Sequence, residues 1–454
     1  MTGSDIRDLV YSKQGTQMLE LLYGTETLEQ ERRRYISLAE GMLPQAGFPE
    51  EFSPAPHAPA LRIFSAPGRT ELGGNHTDHN RGRVLAASIQ MDAVAVVTPR
   101  SDGKVFFRST GFPDVLVDLS GSDGKMNLSP RRDELGTTEA LVRGIAAEFA
   151  LRGAELGGFS ANASSTVFHG SGLSSSAAVE VLLAKIFDSL YSGGNCSAIE
   201  LARISQKAEN AYFGKPCGLM DQAASASGGA VAIDFADPAA PLVQKIEFDP
   251  LAAGYALCVV NTRGSHADLT PDYAAIPQEM NAVARYFGKD FLRELDLSQV
   301  LAHTGEIRKT VHDRALLRAI HFFHENERAL SMANVLRKLE AAGDRHEKNE
   351  TMGQFLDMVN ESCDSSWELL QNMYSPRFPL RQEISLALAI TREFFREFSA
   401  KSACRVHGGG FAGTIQAYIP VDLLESYRSR MDAAFGSGAV TVLRIRPLGA
   451  VEFG

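Results

Sequence analysis

Residues 168–178 read FHGSGLSSSAA and run directly into an apolar stretch that ends near residue 191. The residues before them, 157–169, alternate as a strand does, so a strand, a turn of small residues and a helix follow one another. Few junctions constrain a chain more. The first N–H groups of a helix have no partner within it, and with the helix macrodipole they form an anion site. Gly170 and Gly172 let the backbone come close to a phosphate. The serines can cap the helix or offer hydroxyls to a phosphate or a metal ion. A plain serine cap accounts equally well for this turn taken alone. No Gly-Lys-Ser/Thr follows, so it is not a Walker loop. It is not a dinucleotide fingerprint either.

Three other segments concentrate polar chemistry. Residues 66–80, APGRTELGGNHTDHN, lie between the strand-like stretches 61–65 and 84–98. A solvated turn fits that composition, and so does a polyol site in which Arg69, His76 and Asp78 trade hydrogen bonds with hydroxyls. Residues 208–222, AENAYFGKPCGLMDQ, place Glu209 near a helix end and Asp221 after a Gly/Pro loop. The two carboxylates suit a metal ligand and a general base, or simply a surface helix end and a capping Asp. Residues 406–414, VHGGGFAGT, form a glycine-rich turn before a strand, a tight bend or a close approach to a ligand.

Charge and cysteine usage narrow the class. The 454 residues hold 45 Lys and Arg against 55 Asp and Glu, a net charge of −10. That excludes a broad basic face for nucleic acid. Five cysteines (196, 217, 258, 363 and 404) stand far apart with no CxxC pair. A reducing cytoplasm is the expected home. No stretch approaches the ~18 apolar residues of a membrane helix. Helices are expected at 16–46, 135–152, 174–191 and 197–212, and over most of 276–400. Strands are expected at 61–65, 84–98, 157–169, 228–235, 255–261, 403–420 and 438–454, with a polar, hairpin-like stretch at 99–128. That order is α+β rather than a regular βαβ array.

Taken together and in order, the four segments resemble the galactokinase branch of the GHMP kinase superfamily. GRTELGGNHTDHNRGRVLAASI is similar to its sugar signature, GSGLSSSAAVEV to its ATP loop, AENAYFGKPCGLMDQ to its catalytic stretch and HGGGFAGT to its third motif. The resemblance spans roughly residues 60–450. It implies a two-lobed α+β fold with the active site in the cleft between lobes. The N-terminal lobe would take 1–212 and the C-terminal lobe 213–433, with 434–454 returning to the first. It implies an ATP- and Mg²⁺-dependent sugar 1-kinase acting on galactose, with no nucleic acid, membrane or obligate protein partner.

By the same resemblance Asp221 is the catalytic carboxylate and Arg69 its catalytic partner. Gly170, Ser171, Gly172, Leu173, Ser174, Ser175 and Ser176 form the ATP phosphate loop. Ser176 and Glu209 hold Mg²⁺. Asn75, His76, Asp78, Gly218 and Tyr273 face the sugar. The sequence departs from the family at three signature positions: Asn75 stands where the family has Glu, Glu71 where it has Asn and His79 where it has Tyr. An amide at 75 would admit a C6 carboxylate, so galacturonate is the alternative substrate. A non-catalytic galactose sensor is the alternative from another class, against which the complete Ser-Ser-Ser-Ala-Ala loop stands.

Overall fold

Three helices open the chain: α1 (Gly3–Tyr11), α2 (Lys13–Tyr23) and α3 (Leu28–Glu40). The computed structural model describes residues 3–54, 61–121, 126–168, 172–265 and 269–453. The single helix expected over 16–46 is interrupted at Gly24, whose φ of +84° ends α2, and closes at Glu40 before a short 3₁₀ turn at Pro44. Helix α1 falls in a stretch the sequence reading left without structure.

Then come β1 (Arg62–Gly73) and β2 (Arg83–Arg100), antiparallel to each other. Strand β1 is much longer than the expected 61–65. It carries Arg69, Thr70 and Glu71 inside the sheet, all buried, where composition alone also allowed a solvated turn. The polar stretch after β2 contains a hairpin, β3 (Lys104–Ser109) with β4 (Val115–Asp118). Helix α4 (Thr138–Leu151), strand β5 (Gly158–Ser165) and helices α5 (Ser175–Tyr191), α6 (Ala198–Ala208) and α7 (Met220–Ser227) follow. Strands β6 (Ala230–Asp234) and β7 (Leu242–Ile246) complete the first half, and β8 (Tyr255–Asn261) begins the second. A helical region holds α8 (Thr270–Tyr286), the short α9 (Leu297–Ala302) and α10 (Thr304–Ile307), then the long α11 (Asp313–Ala341), α12 (Arg345–Ser365) and α13 (Glu383–Glu397). The chain closes with β9 (Ala403–His407), β10 (Thr414–Pro420), α14 (Leu424–Phe435), β11 (Val440–Leu443) and β12 (Val451–Phe453).

Among the described residues these strands form two sheets. The larger has the order β12-β1-β2-β5-β3-β4, with β6 on the far half of β2 and β7 beyond it. The smaller is β11-β8-β10-β9, antiparallel throughout. The change of sheet falls between Ile246 and Tyr255, later than the division expected at residue 212. Of the C-terminal stretch expected to return, β12 pairs with β1, while β11 stays on β8.

Strand β2 is the hub. Its Ala and Val run is buried on both faces, as a central strand requires. Ala93, Ala95 and Val97 pack toward α4–α7, while Val94 and Val96 pack against Leu19, Leu22 and Tyr35 of the N-terminal helices. The period-2 alternation of a strand thus serves two helical layers. Asp92 sits within this packing with no exposure. It accepts from Arg34 Nη1 (2.8 Å), Arg446 Nη1 (3.0 Å) and the Tyr23 hydroxyl (2.5 Å). Arg34 and Arg446 outweigh the burial that would raise this carboxyl, and they hold it low. Among the described residues no helix is long and apolar enough to cross a membrane.

Candidate active site

The end of β1, the start of α5, the π-turn after α6 (Glu209–Phe213), the start of α7 and the turn after β9 converge on one cavity of about 290 Å³. Arg69, Glu71, Asn75, His76, Asp78, Ser176, Glu209, Lys215, Gly218 and Asp221 are among its lining residues.

Arg69 is the most constrained of these. Its guanidinium forks onto Asp221, Nε to Oδ1 at 2.8 Å and Nη2 to Oδ2 at 2.7 Å, and its Nη1 donates to the Gly172 carbonyl. Its own N–H donates to the Leu173 carbonyl (3.0 Å), so the Gly/Ser turn before α5 is fastened to β1 twice. Ser174, in the left-handed region at φ +61°, donates its hydroxyl to Asp221 Oδ2 at 2.5 Å. Burial pushes the Asp221 carboxyl up, but the Arg69 charge and the Ser174 and Arg69 hydrogen bonds outweigh it. The group is held below the usual carboxylate range. It is ionised at neutral pH and fixed in orientation.

A second carboxylate cluster lies beside it. Glu209, buried, accepts from Lys215 Nζ (2.8 Å) and from Gln222 Nε2 (2.9 Å). The same Gln222 amide donates to Glu180 Oε2 (2.9 Å), and Glu180 Oε1 is buried without a hydrogen-bond partner. Burial, reinforced by the Glu209 charge, pushes the Glu180 carboxyl up to about 8. Ser176 opens α5 on the same cavity.

Residues of the 66–80 segment line the same cavity. His76 Nε2 donates to the Gly409 carbonyl (3.0 Å). Burial, with help from His79, lowers His76 to about 4, so the ring is neutral. Asp78 packs against Gly218, where an added Cβ would stand 2.2 Å from Asp78 Oδ2 and push that carboxylate aside. Tyr273 stands one layer back. Its hydroxyl donates to the Gly410 carbonyl (3.0 Å), and its ring lies where a Cβ on Gly409 would be 2.6 Å away. Glu71 is buried beside Arg405 and Asn75; burial raises its carboxyl, against the pull of Arg405, Arg69 and the Asn75 hydrogen bond.

The structure therefore gathers Asp221, Arg69, Asn75, His76, Asp78, Gly218, Ser176 and Glu209 around one cavity. Gly172, Leu173, Ser174 and Ser175 lie in its adjoining turn, and Tyr273 stands behind it. Gly170 and Ser171 lie outside the described residues. Sequence reasoning missed the supports. His321 and Glu325, one turn apart on α11, hold the Gly74–Asn75 turn: His321 Nε2 donates to the Asn75 carbonyl (3.0 Å), and Glu325 Oε1 accepts from the Gly74 N–H (3.1 Å). His321 is wholly buried between Asn75 and Ser365, and its i, i+4 spacing to Glu325 was the available signal. Lys215, in the loop between Glu209 and Asp221, is the cation on Glu209.

Residues 140–229, which hold the Gly/Ser turn at the start of α5 and Asp221, match the GHMP kinases N terminal domain. Residues 46–99 match the galactokinase galactose-binding signature. The chain is 31% identical over 389 residues to the galactokinase of Streptomyces coelicolor, covering 84% of this chain and 91% of that one. It belongs to the galactokinase family. Its fold is similar to that of Lactococcus lactis galactokinase solved with galactose (TM-score 0.70, 24% identity, 87% of this chain and 95% of that one). The fold is also similar to that of Methanococcus jannaschii mevalonate kinase (TM-score 0.54, 11% identity, 85% and 98%).

Proposed function

We propose that the protein transfers the γ-phosphoryl group of ATP to the C1 hydroxyl of galactose, giving galactose 1-phosphate and ADP. The observation that carries this reading is the Arg69–Asp221 fork, bonded to the phosphate-loop turn and lining the same cavity as the sugar-signature residues. The galactokinase-family relationship supports the choice of sugar.

The chemistry asked of these groups is modest. Phosphoryl transfer passes through a loose transition state in which positioning and charge stabilisation dominate. The sugar O1 forms a bond to the γ-phosphorus as the bond to the ADP oxygen breaks, and the O1 proton passes to Asp221. A carboxylate held low is a weak base, and it suffices because the hydroxyl becomes acidic only as the P–O bond forms. Arg69 keeps that carboxylate ionised and lies where charge develops on the transferring group. The backbone N–H groups opening α5 suit the nucleotide phosphates.

The Ser176 hydroxyl and Glu209 carboxylate are hard oxygen donors on the same cavity. They fit Mg²⁺, which when bound neutralises phosphate charge. Five free cysteines support a cytoplasmic setting. The test is ADP release with MgATP across galactose, galacturonate, glucose and no sugar. Galactose-dependent turnover is expected. ADP release that ignores the sugar, or none with any sugar, refutes the reading.

A further inference from the structure

We infer that Glu71, and not Asn75, is the sugar-facing member of the exchanged pair in the signature, and that its carboxylate restricts the pocket to neutral sugars. The inference rests on the sugar-kinase reading and deepens it by naming the substrate class.

Asn75 has nothing left to offer a ligand as a donor. Its two amide protons go to Glu71 Oε1 (3.1 Å) and the Gly408 carbonyl (2.8 Å). Both of those are acceptors, so the orientation of the amide is fixed by chemistry. Its Oδ1 accepts from Asn372 Nδ2 (3.0 Å). The residue is 1% exposed and its carbonyl is tied to His321. An amide that is fully engaged cannot donate to a C6 carboxylate, so the route by which Asn75 would admit galacturonate is closed.

Glu71 is placed differently. It sits two residues after Arg69 on β1, on the same face, and it lines the cavity. The described hydrogen bonds to its carboxylate, from Asn75 and Arg405, all land on Oε1. Oε2 takes none of them. Arg405, with no exposure, stands behind the carboxylate and is not among the cavity-lining residues. A ligand entering therefore meets a carboxylate that accepts hydrogen bonds, held from behind by the Arg405 guanidinium and from beside by the Asn75 amide. A sugar hydroxyl satisfies that acceptor. A sugar carboxylate meets a like charge in a partly desolvated site, and two carboxylates about 4 Å apart at an effective dielectric near 20 weaken binding by up to roughly a thousandfold. With Arg405 offsetting part of the charge, a penalty of at least about tenfold is expected.

The test is calorimetric binding and steady-state kinetics with galactose, its 2-, 4- and 6-deoxy analogues and galacturonate, on the wild type and Glu71→Gln. The wild type should bind galacturonate at least about tenfold more weakly than galactose, and one deoxy analogue should bind roughly tenfold or more below the parent, the loss expected for a hydrogen bond to a charged group. In Glu71→Gln that analogue's deficit should shrink to within about threefold, because the contact it lacks is already weakened, and KM for galactose should rise more than kcat falls. A merely structural Glu71 would leave the deoxy pattern unchanged. Should Glu71→Gln fail to fold, the wild-type comparison of galactose with galacturonate still decides. Galactose turnover with galacturonate bound within threefold of it, or an intact deoxy pattern in Glu71→Gln, overturns this inference and leaves the kinase reading standing. Binding of no sugar at all overturns both.

Discussion

Arg69→Gln and Arg69→Lys separate the two tasks of this guanidinium. The wild-type side chain, 7% exposed, makes three charge-assisted hydrogen bonds, two to Asp221 and one to the Gly172 carbonyl. Lysine keeps the charge but has a single nitrogen, so the bidentate fork and one anchor are lost. With hydrogen bonds to charged groups worth about 1.5–3 kcal/mol each, losing two corresponds to roughly 3–6 kcal/mol of positioning, part of which water and relaxation recover. Since about 1.4 kcal/mol is a tenfold change, kcat should fall at least roughly a hundredfold in both variants. The pH dependence tells them apart. In the native site burial raises the Asp221 carboxyl and the Arg69 charge is the largest influence lowering it. Glutamine removes that charge, so burial acts unopposed by it and the acid limb of kcat against pH moves upward. Lysine should leave the limb near its wild-type position. The assay is coupled ADP release between pH 4 and 9, with thermal melts to confirm folding. Rates within threefold of wild type, or an unmoved acid limb in Arg69→Gln, would refute the assignment of Arg69 as the partner that keeps Asp221 ionised.

Further outcomes follow from the same geometry. Gly218→Ala puts a Cβ 2.2 Å from Asp78 Oδ2; KM for the sugar should rise roughly tenfold or more as Asp78 is displaced, with KM for ATP little changed, and equal effects on both substrates would contradict this placing of Asp78. Asp92→Asn leaves Arg446 buried without its carboxylate and Arg34 with Glu31 alone; about 3–5 kcal/mol of stability should be lost in urea unfolding, and a loss under 1 kcal/mol would show that the network is not holding α3 to the sheet. Glu325 is pushed up by burial, but Arg328 and His321 pull it further down, to about 2. A depressed carboxyl contributes stability that is fully present above its unfolded value near 4.5 and is lost as pH falls from there toward 2. Glu325→Gln should flatten the stability–pH curve in that window, and an unchanged slope would contradict it.

The turn at 168–178 was readable because its chemistry is local: small residues, serines and an apolar helix follow one another in sequence. The same holds for Glu209 and Asp221, which one short loop separates. What escaped was non-local. Asn75 looked like a free specificity residue, yet the groups that occupy its amide are Gly408 and Asn372, more than 290 positions away. Arg405, which holds Glu71 from behind, comes from β9, and nothing in the signature announces it. Strand β1 continues to Gly73 because β2 pairs with it along its length, a tertiary effect that overrides the Pro- and Gly-containing composition of the segment. The N-terminal helices were read as one amphipathic unit, but the surface they cover is set by the odd–even alternation of β2.

The most direct test of the account is a single-turnover experiment with MgATP and galactose, read by phosphorus NMR, on the wild type and Asp221→Ala. The account predicts a wild-type product phosphorylated at C1 and, in the variant, galactose binding within about threefold of wild type with transfer slowed by roughly a thousandfold or more. Phosphate on another hydroxyl, or C1 transfer at near wild-type rate without the Asp221 carboxylate, would contradict it.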